Sequence, residues 1–309
     1  MNRGNVTTEV FDPIKFVKYV ASFNENTDFY SVNVNDSLFP LMTLRKNHFN
    51  YLFSLPYSLY SSIKPDDIPA EIIDSITRIN CDILTINFPP FVIFSKDDAA
   101  LLASTYKCEL SVNTCHIVDT NRPIEDIINN FNSTRKKHIK RYQKLGKINV
   151  FQTKESFYFE EYYKLYIDSV NRWGIENTGY SKEFIASLNS VPGISMWVAE
   201  FENKVISAMI CIYHSDHVFD WLAASIINDD MKKLYAPIAV QFEVIRNASE
   251  LGLNYVNMGA SVNLAGVSDF KDSWGASEYE TYTFRKQSRL FHASKKIVAH
   301  LKNLRTKCL

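Results

Sequence analysis

Hydrophobic and polar residues alternate along this chain in short segments that predict both strands and helices. Period-two alternation and continuous β-branched or aromatic runs are typical of strands, and apolar residues three and four apart are typical of helices. The two kinds of segment follow one another closely, so the pattern predicts an α/β or α+β layer fold. Strands are predicted near residues 29–34, 38–46, 50–57, 81–88, 110–120, 148–153, 194–226 (three strands) and 255–261, and helices near residues 16–23, 66–79, 97–107, 122–131, 133–145, 156–174, 181–190 and 229–252.

Length and charge restrict the class of protein. The 309 residues can bury a large core and predict two domains rather than one. The 34 basic and 34 acidic residues cancel, which argues against a general affinity for nucleic acid or an anionic membrane. No window reaches the roughly 20 apolar residues that a membrane-spanning helix needs. The first residues lack the apolar core of a signal peptide, and we therefore expect a cytoplasmic protein.

The five cysteines have no CxxC spacing and predict neither a disulfide framework nor a structural zinc site. Cys108 and Cys115 flank His116, which allows two interpretations: a thiol–histidine pair, or small apolar residues beside a histidine in a strand. The sequence shows no Ser-His-Asp order, metal motif or Walker loop, and we expect no metal.

One predicted helix carries a strong local charge. It spans residues 133–145, with Ser133 as its predicted N-cap and Gly146 as its predicted C-cap. Two interpretations stay open: a cationic wall for a phosphate-bearing ligand, or a solvated helix face. The basic residues of this helix are Arg135, Lys136, Lys137, His138, Lys140, Arg141 and Lys144.

Residues 259–285 form a second distinctive stretch. A glycine-bounded loop precedes Phe270 and Lys271, and a Trp274-Gly275 turn then leads into an alternating strand. An aromatic residue beside a single lysine in such turns indicates a shaped site, and a surface loop between two strands is the alternative.

The order of the elements and five segments resemble the GNAT superfamily, and within it the FemAB-like group of two-domain acyltransferases and aminoacyltransferases. The segments are STRKKHIKRYQKLG, KVISAMICIY, FDWLAAS, KLYAPIAVQFEVIRNASELGLNYVNMG and GVSDFKDSWGA, of which the last has the specific pattern FK-x-x-(aromatic)-G. The resemblance implies two tandem GNAT-like domains, each with a mixed central sheet flanked by helices. Residues 1–145 would be a degenerate first domain ending in the basic helix, and residues 146–309 the C-terminal acyltransferase domain.

The resemblance also implies an N-acyltransferase. An amine of an amino-sugar or another cell-envelope or polysaccharide precursor, nucleotide-linked sugars included, would attack the acyl group of acyl-CoA directly, with acetyl-CoA as the first choice of donor. The glycine-rich Q/R-x-x-G-x-G/A loop of ordinary GNAT enzymes is replaced here by MKKLYAPIA. A tRNA-dependent peptidoglycan aminoacyltransferase is therefore one alternative, and a non-catalytic GNAT-like binding module is another. The acceptor, the acyl chain and the oligomeric state stay open.

In GNAT-like folds two neighbouring strands part, and the pantetheine of the carrier adds to the exposed edge. The corresponding segments here are VFDWLAAS and NYVNMGAS. The resemblance assigns the carrier to two sets of residues: Trp221, Leu222 and Ala223 at the strand edge, and Lys232, Lys233, Leu234, Tyr235 and Ala236 at a helix start that favours pyrophosphate.

Three residues are candidates for the chemistry. By resemblance, Lys271 stabilises transition-state charge; a surface lysine paired with Asp269 or Asp272 is the alternative. Asp220 lies beside the carrier edge, where burial would raise its pKa and let it relay the proton of the amine, unless it is an exposed strand residue. His214 is a candidate base in a turn, where histidines are usually solvated. The candidate substrate-binding residues are Phe270, Arg135, Lys137, Arg141, Tyr255 and Trp173.

Overall fold

The structure, a computed structural model, describes residues 9–23, 25–34, 37–56, 59–60, 69–93, 95–172, 174, 178–261 and 265–294. The chain forms two compact units, one from residues 1–12 and 114–279 and the other from residues 13–113 and 280–309. The basic helix therefore belongs to the first unit, as do the two strands expected to part. The predicted domain boundary after residue 145 stays a prediction.

Helices and strands alternate as the sequence pattern predicts. The helices are α1 (Pro13–Ser22), α2 (Pro69–Thr77), α3 (Lys96–Tyr106), α4 (Ile124–Asn130), α5 (Ser133–Leu145), α6 (Ser156–Arg172), α7 (Lys182–Ser187), α8 (Asp229–Lys232), α9 (Ala236–Glu250) and α10 (Ala265–Asp272), with a 3-10 helix at Leu188–Ser190. The strands are β1 (Thr27–Val34), β2 (Ser37–Lys46), β3 (Phe49–Phe53), β4 (Ile83–Asn87), β5 (Glu109–Asp119), β6 (Asn149–Thr153), β7 (Ile194–Phe201), β8 (Lys204–Tyr213), β9 (His217–Ser225), β10 (Tyr255–Ala260) and β11 (Ser277–Gln287).

Three details of the predicted elements are wrong. The stretch expected as a glycine-bounded loop contains the helix α10, which carries Phe270 and Lys271. Asn132, not Ser133, caps α5, because the Asn132 side-chain oxygen accepts the N–H of Arg135 at 2.7 Å. The helix predicted over residues 229–252 is broken into α8 and α9, because Tyr235 between them adopts the left-handed conformation with φ 58°. The helix that was expected to begin near Lys233 therefore begins at Ala236.

The sheet of the first unit has the strand order β5-β10-β9-β8-β7-β6. β10 runs parallel to β9, and the other neighbours are antiparallel, so this sheet is mixed. α9 packs on the sheet through Val240, Val244 and Ile245, which are at most 1% exposed. Burial of each such side chain contributes about 1.5–3 kcal/mol, which holds α9 against the strands that form the candidate site.

The sheet of the second unit has the strand order β1-β2-β3-β4-β11, with β3 and β4 parallel and the other neighbours antiparallel. Ile72, Ile73 and Ile76 of α2 recur at helical spacing, and all three are buried in the core of this unit. Each unit thus has a mixed sheet with helices packed on it, which confirms the predicted α+β fold class. Among the described helices, none is both long enough and apolar enough to span a bilayer.

Candidate functional site

Strands β9 and β10 pair only where they begin. Residues 255–257 of β10 lie opposite residues 217–219 of β9. β9 runs on to Ser225 and β10 to Ala260, and these described segments do not pair with each other. The resemblance predicts this parting, which opens a gap where an extended ligand can add to the edge of a strand.

Lys271 lies beside this gap. Its side chain is buried, with 7% exposed, and its Nζ donates hydrogen bonds to the carbonyl oxygens of Gly259 (2.9 Å) and Ala260 (2.8 Å) at the end of β10. Burial lowers the pKa of the ammonium group, and the charge of Asp220 opposes that shift. Lys271 is therefore not the exposed surface lysine of the alternative interpretation.

Asp220 is the first residue of β9 beyond its pairing with β10. The residue as a whole is half-buried, but its carboxyl group is surrounded by protein, and this burial raises the carboxyl pKa from 3.8 to about 7. The Lys271 ammonium group and the Gln241 amide oppose the rise. The expected upward pKa shift is therefore present, and a carboxyl that titrates near neutrality can accept and release a proton there.

Gln241 of α9 is wholly buried near Asp220. Its amide is close enough to lower the pKa of the carboxyl, yet within the described residues neither Nε2 nor Oε1 makes a hydrogen bond of normal geometry. A buried amide without partners costs about 1–3 kcal/mol, so Gln241 has a donor and an acceptor available for a ligand or water. Sequence reasoning missed Gln241, because one glutamine inside an apolar helix matches no motif.

Aromatic rings border β9 on the side of α6 and α7. The Trp221 ring contacts the rings of Tyr180 at 5.8 Å and Phe184 at 6.5 Å between centroids. Tyr162 of α6 is fully buried; burial raises its pKa well above the usual value, and the charge of Asp220 adds to that rise. Sequence reasoning also missed Tyr162 and Tyr180, because nothing in the sequence distinguishes them from the other tyrosines of the chain.

Arg135 of α5 points into the protein, toward the turn that follows α10. It is 6% exposed, and its Nε and Nη2 donate to Ser273 Oγ at 2.9 and 2.6 Å. Its guanidinium lies over the rings of Phe270 (4.6 Å) and Trp274 (4.5 Å), and burial lowers its pKa to about 10, so it stays charged at neutral pH. These contacts position α10 and hence Lys271, while substrate contact by Arg135 or Phe270 stays a prediction.

The start of α9 offers few backbone donors to an anion. Pro237 has no N–H, and the N–H groups of Ile238 and Ala239 donate to the Tyr235 carbonyl oxygen at 3.0 and 2.9 Å. The predicted pyrophosphate site at this helix start therefore lacks most of the backbone groups that would normally form it.

Basic side chains from α5 lie near this helix start. Arg141 Nη1 donates to the Tyr235 hydroxyl at 3.1 Å, and the His138 ring lies 4.9 Å from the Tyr235 ring. Lys137 is exposed on the same helix. Of the other predicted carrier and substrate residues, Lys232, Lys233 and Ala223 are exposed, Leu222 is half-buried, Leu234 and Ala236 are buried, and Trp173 lies outside the described residues.

His214 lies away from the gap, in the turn before β9. It is buried, and its ring stacks on His217 at 4.3 Å, which in turn stacks on Tyr255 at 4.5 Å. Burial and the nearby His217 lower the pKa of His214 well below its usual value, so it is not a solvated turn histidine. Since His217 precedes Asp220 by three residues, about 10 Å along a strand, His214 does not meet Asp220 and Lys271. The roles of His214 as a base and of Tyr255 in substrate binding stay predictions.

Comparisons with known proteins agree on the fold. No protein-family model and no curated protein matches the sequence. FemX has a TM-score of 0.64 at 10% identity, over 86% of this chain and 89% of FemX. The C-terminal domain of a proposed lysylphosphatidylglycerol synthetase from Agrobacterium fabrum has a TM-score of 0.54 at 9% identity, over 89% of this chain and 88% of that one. L-PGS from Bacillus licheniformis has a TM-score of 0.53 at 11% identity, over 95% and 93%. The chain therefore has the fold that these three structures share.

Proposed function

We propose that this protein is an acyltransferase in which an amine attacks an activated acyl group held in the gap between β9 and β10. The parting of these strands carries the proposal, because an open strand edge there lies beside a carboxyl that titrates near neutrality and a buried ammonium group. The fold shared with FemX and with a proposed lysylphosphatidylglycerol synthetase supports this class of reaction.

The residues of the gap suit direct attack without a covalent enzyme intermediate. The lone pair of the amine forms the new C–N bond, and the bond between the acyl carbon and its carrier breaks, with the electron pair leaving on the carrier. The carboxylate of Asp220 accepts the proton of the amine, and the ammonium group of Lys271 stabilises the negative charge that develops on the acyl oxygen. The Gln241 amide orients Asp220 or the bound acyl group.

The first candidate donor is acyl-CoA, with acetyl-CoA preferred, and its pantetheine would lie along Trp221, Leu222 and Ala223. Its phosphates would meet the side chains of Arg141 and Lys137 rather than a backbone cradle. The acceptor would be an amino-sugar or another cell-envelope or polysaccharide precursor, and the reaction would take place in the cytoplasm.

The second candidate donor is aminoacyl-tRNA. One observation favours it: the start of α9 has few N–H groups for the pyrophosphate of CoA.

Ligand binding separates these candidates. Stabilisation of the protein against heat by acetyl-CoA supports the first donor, and stabilisation by aminoacyl-tRNA alone supports the second. Stabilisation by neither would favour a non-catalytic module and contradict the proposal.

Substitution of Lys271 tests its proposed role in stabilising the negative charge on the acyl oxygen. Lys271→Met should lower single-turnover acyl transfer by about 100-fold or more, because a donor aimed at the developing charge is lost. Lys204→Met, at an exposed position where β8 begins, is the matched control and should keep full turnover. Full turnover of the Lys271→Met protein would remove the assignment.

A further inference from the structure

A second polar cluster lies on the first unit and plays no part in the proposed transfer. His116 of β5 is 1% exposed. Its Nε2 lies 3.2 Å from Ser268 Oγ, 3.4 Å from Asp272 Oδ1 and 3.5 Å from Glu278 Oε1. Three elements, β5, α10 and β11, thus direct four polar side chains to one point.

The charges of this cluster do not balance. Two carboxylates approach the same ring nitrogen, and among the described residues neither has a lysine or arginine within ion-pair distance. A single Nε2–H cannot donate well to three oxygens, and all three distances exceed the about 2.7–2.9 Å of a good charge-assisted hydrogen bond. Like charges this close repel each other, so the arrangement favours a cation between them.

The other ring nitrogen supports this interpretation. His116 Nδ1 lies 3.5 Å from Ser261 Oγ. A histidine that binds a metal commonly donates its second N–H to an oxygen, which leaves the lone pair of the first nitrogen for the ion. An Nδ1–H directed at Ser261 would leave the Nε2 lone pair facing both carboxylates. The three ligand atoms all lie within 4.8 Å of one another. The distances from His116 Nε2 to the two carboxylate oxygens, 3.4 and 3.5 Å, match the separation of about 3.4 Å between tetrahedral ligands that lie about 2.0–2.2 Å from one ion.

We propose that His116, Asp272 and Glu278 bind a divalent cation such as Zn²⁺ or Mn²⁺. One imidazole nitrogen and two carboxylate oxygens suit these ions better than Mg²⁺, which prefers oxygen ligands and bound water. The ion would tie His116 and Glu278, which both belong to the first unit, to the end of α10, next to Lys271. This proposal differs from the expectation of no metal. That expectation rested on the absence of local metal-binding motifs, and His116 is too far from Asp272 and Glu278 in the sequence to form such a motif with them.

Metal titration tests the site independently of any transferase activity. The full chain, freed of metal with a chelator, is titrated with ZnCl₂ or MnCl₂ by calorimetry, with MgCl₂ for comparison. One saturable site that prefers Zn²⁺ or Mn²⁺ is expected. Asp272→Asn and Glu278→Gln should each weaken the affinity by at least about tenfold, since each removes one ligand.

Asp269→Asn is the matched control, because Asp269 is exposed on the same helix and lies outside the cluster. Both ligand variants change exposed side chains and should fold, so the test does not depend on a substitution of the buried His116. Absence of Zn²⁺ and Mn²⁺ binding at millimolar concentration would overturn the proposal. Affinity that is the same in Asp272→Asn, Glu278→Gln and the control would also overturn it, because the ion would then bind elsewhere.

Discussion

Replacing Asp220 with asparagine is expected to stabilise the protein at neutral and alkaline pH while removing its proposed proton acceptor. Burial raises the pKa of this carboxyl from 3.8 to about 7 in the folded protein. Between these two values the folded state holds a proton that the unfolded chain has released. The stability that the neutral carboxyl contributes is therefore complete below about pH 4 and is lost as the pH rises to about 7.

The size of the effect follows from the pKa. The rise from 3.8 to about 7, at about 1.4 kcal/mol for each pKa unit, corresponds to about 4 kcal/mol. This figure already includes the attraction of Lys271 and Gln241 for the ionised carboxylate, since both oppose the rise. Asparagine is never ionised, but its amide needs hydrogen bonds of its own. We therefore expect Asp220→Asn to raise the free energy of unfolding by about 2–4 kcal/mol at pH 8.

Urea unfolding of both proteins across the pH range measures this effect. The difference in the free energy of unfolding should grow from about pH 4 to pH 7 and stay constant above about pH 8. Other titrating groups are the same in both proteins, so the difference isolates Asp220. Asp168→Asn, at an exposed position of α6, is the control and should show almost no pH-dependent difference in this range.

A difference that is constant from about pH 5 to about pH 8 would refute the reasoning. It would mean that the Asp220 carboxyl titrates at an ordinary acidic pKa in the folded protein. The proposed transfer of a proton from the amine to Asp220 would then lose its physical basis.

Two further substitutions test the packing of the first unit by urea unfolding. Gly193→Ala should destabilise the protein by about 2 kcal/mol or more, because Gly193 has φ 74° and a Cβ atom there would overlap the backbone that precedes α1. The control Gly252→Ala, at φ 68° but with open space around the added Cβ, should lower the stability by only about 1 kcal/mol. Equal losses of stability in the two variants would contradict this account. Arg135→Met should lower the free energy of unfolding by about 2 kcal/mol and slow acyl transfer, because it removes the hydrogen bonds to Ser273 and the ring contacts that position α10. Lys140→Met, at an exposed position of α5, is the control and should change neither quantity.

The candidate site could be predicted in part. The FK pattern and the order of the strands pointed to Lys271, to Asp220 and to the parting of β9 from β10, and all three meet at the gap. Gln241 could not be predicted, because its importance comes from burial near a carboxyl on another element. His214 looked like a turn histidine, and only its stacking in the fold removed it from solvent.

The sequence by itself determined the order and type of most elements, because hydrophobic periodicity is a local property that each segment carries alone. The isoleucines of α2 and the Gly146 that ends α5 are examples. The helix α10 is an exception, since its segment was expected to be a loop. The break between α8 and α9 could not be predicted from local periodicity. It lies at Tyr235, which has left-handed backbone and contacts side chains of α5, a distant part of the chain.

Only the tertiary structure decided which polar groups meet and what charge they carry. Arg135, which belongs to a row of basic residues in the sequence, turns inward to two aromatic rings. Asp220 has a pKa of about 7 because other elements remove water from its carboxyl group. A pKa depends on neighbours that are close in space and distant in the chain, so the chemistry of the site is a property of the fold.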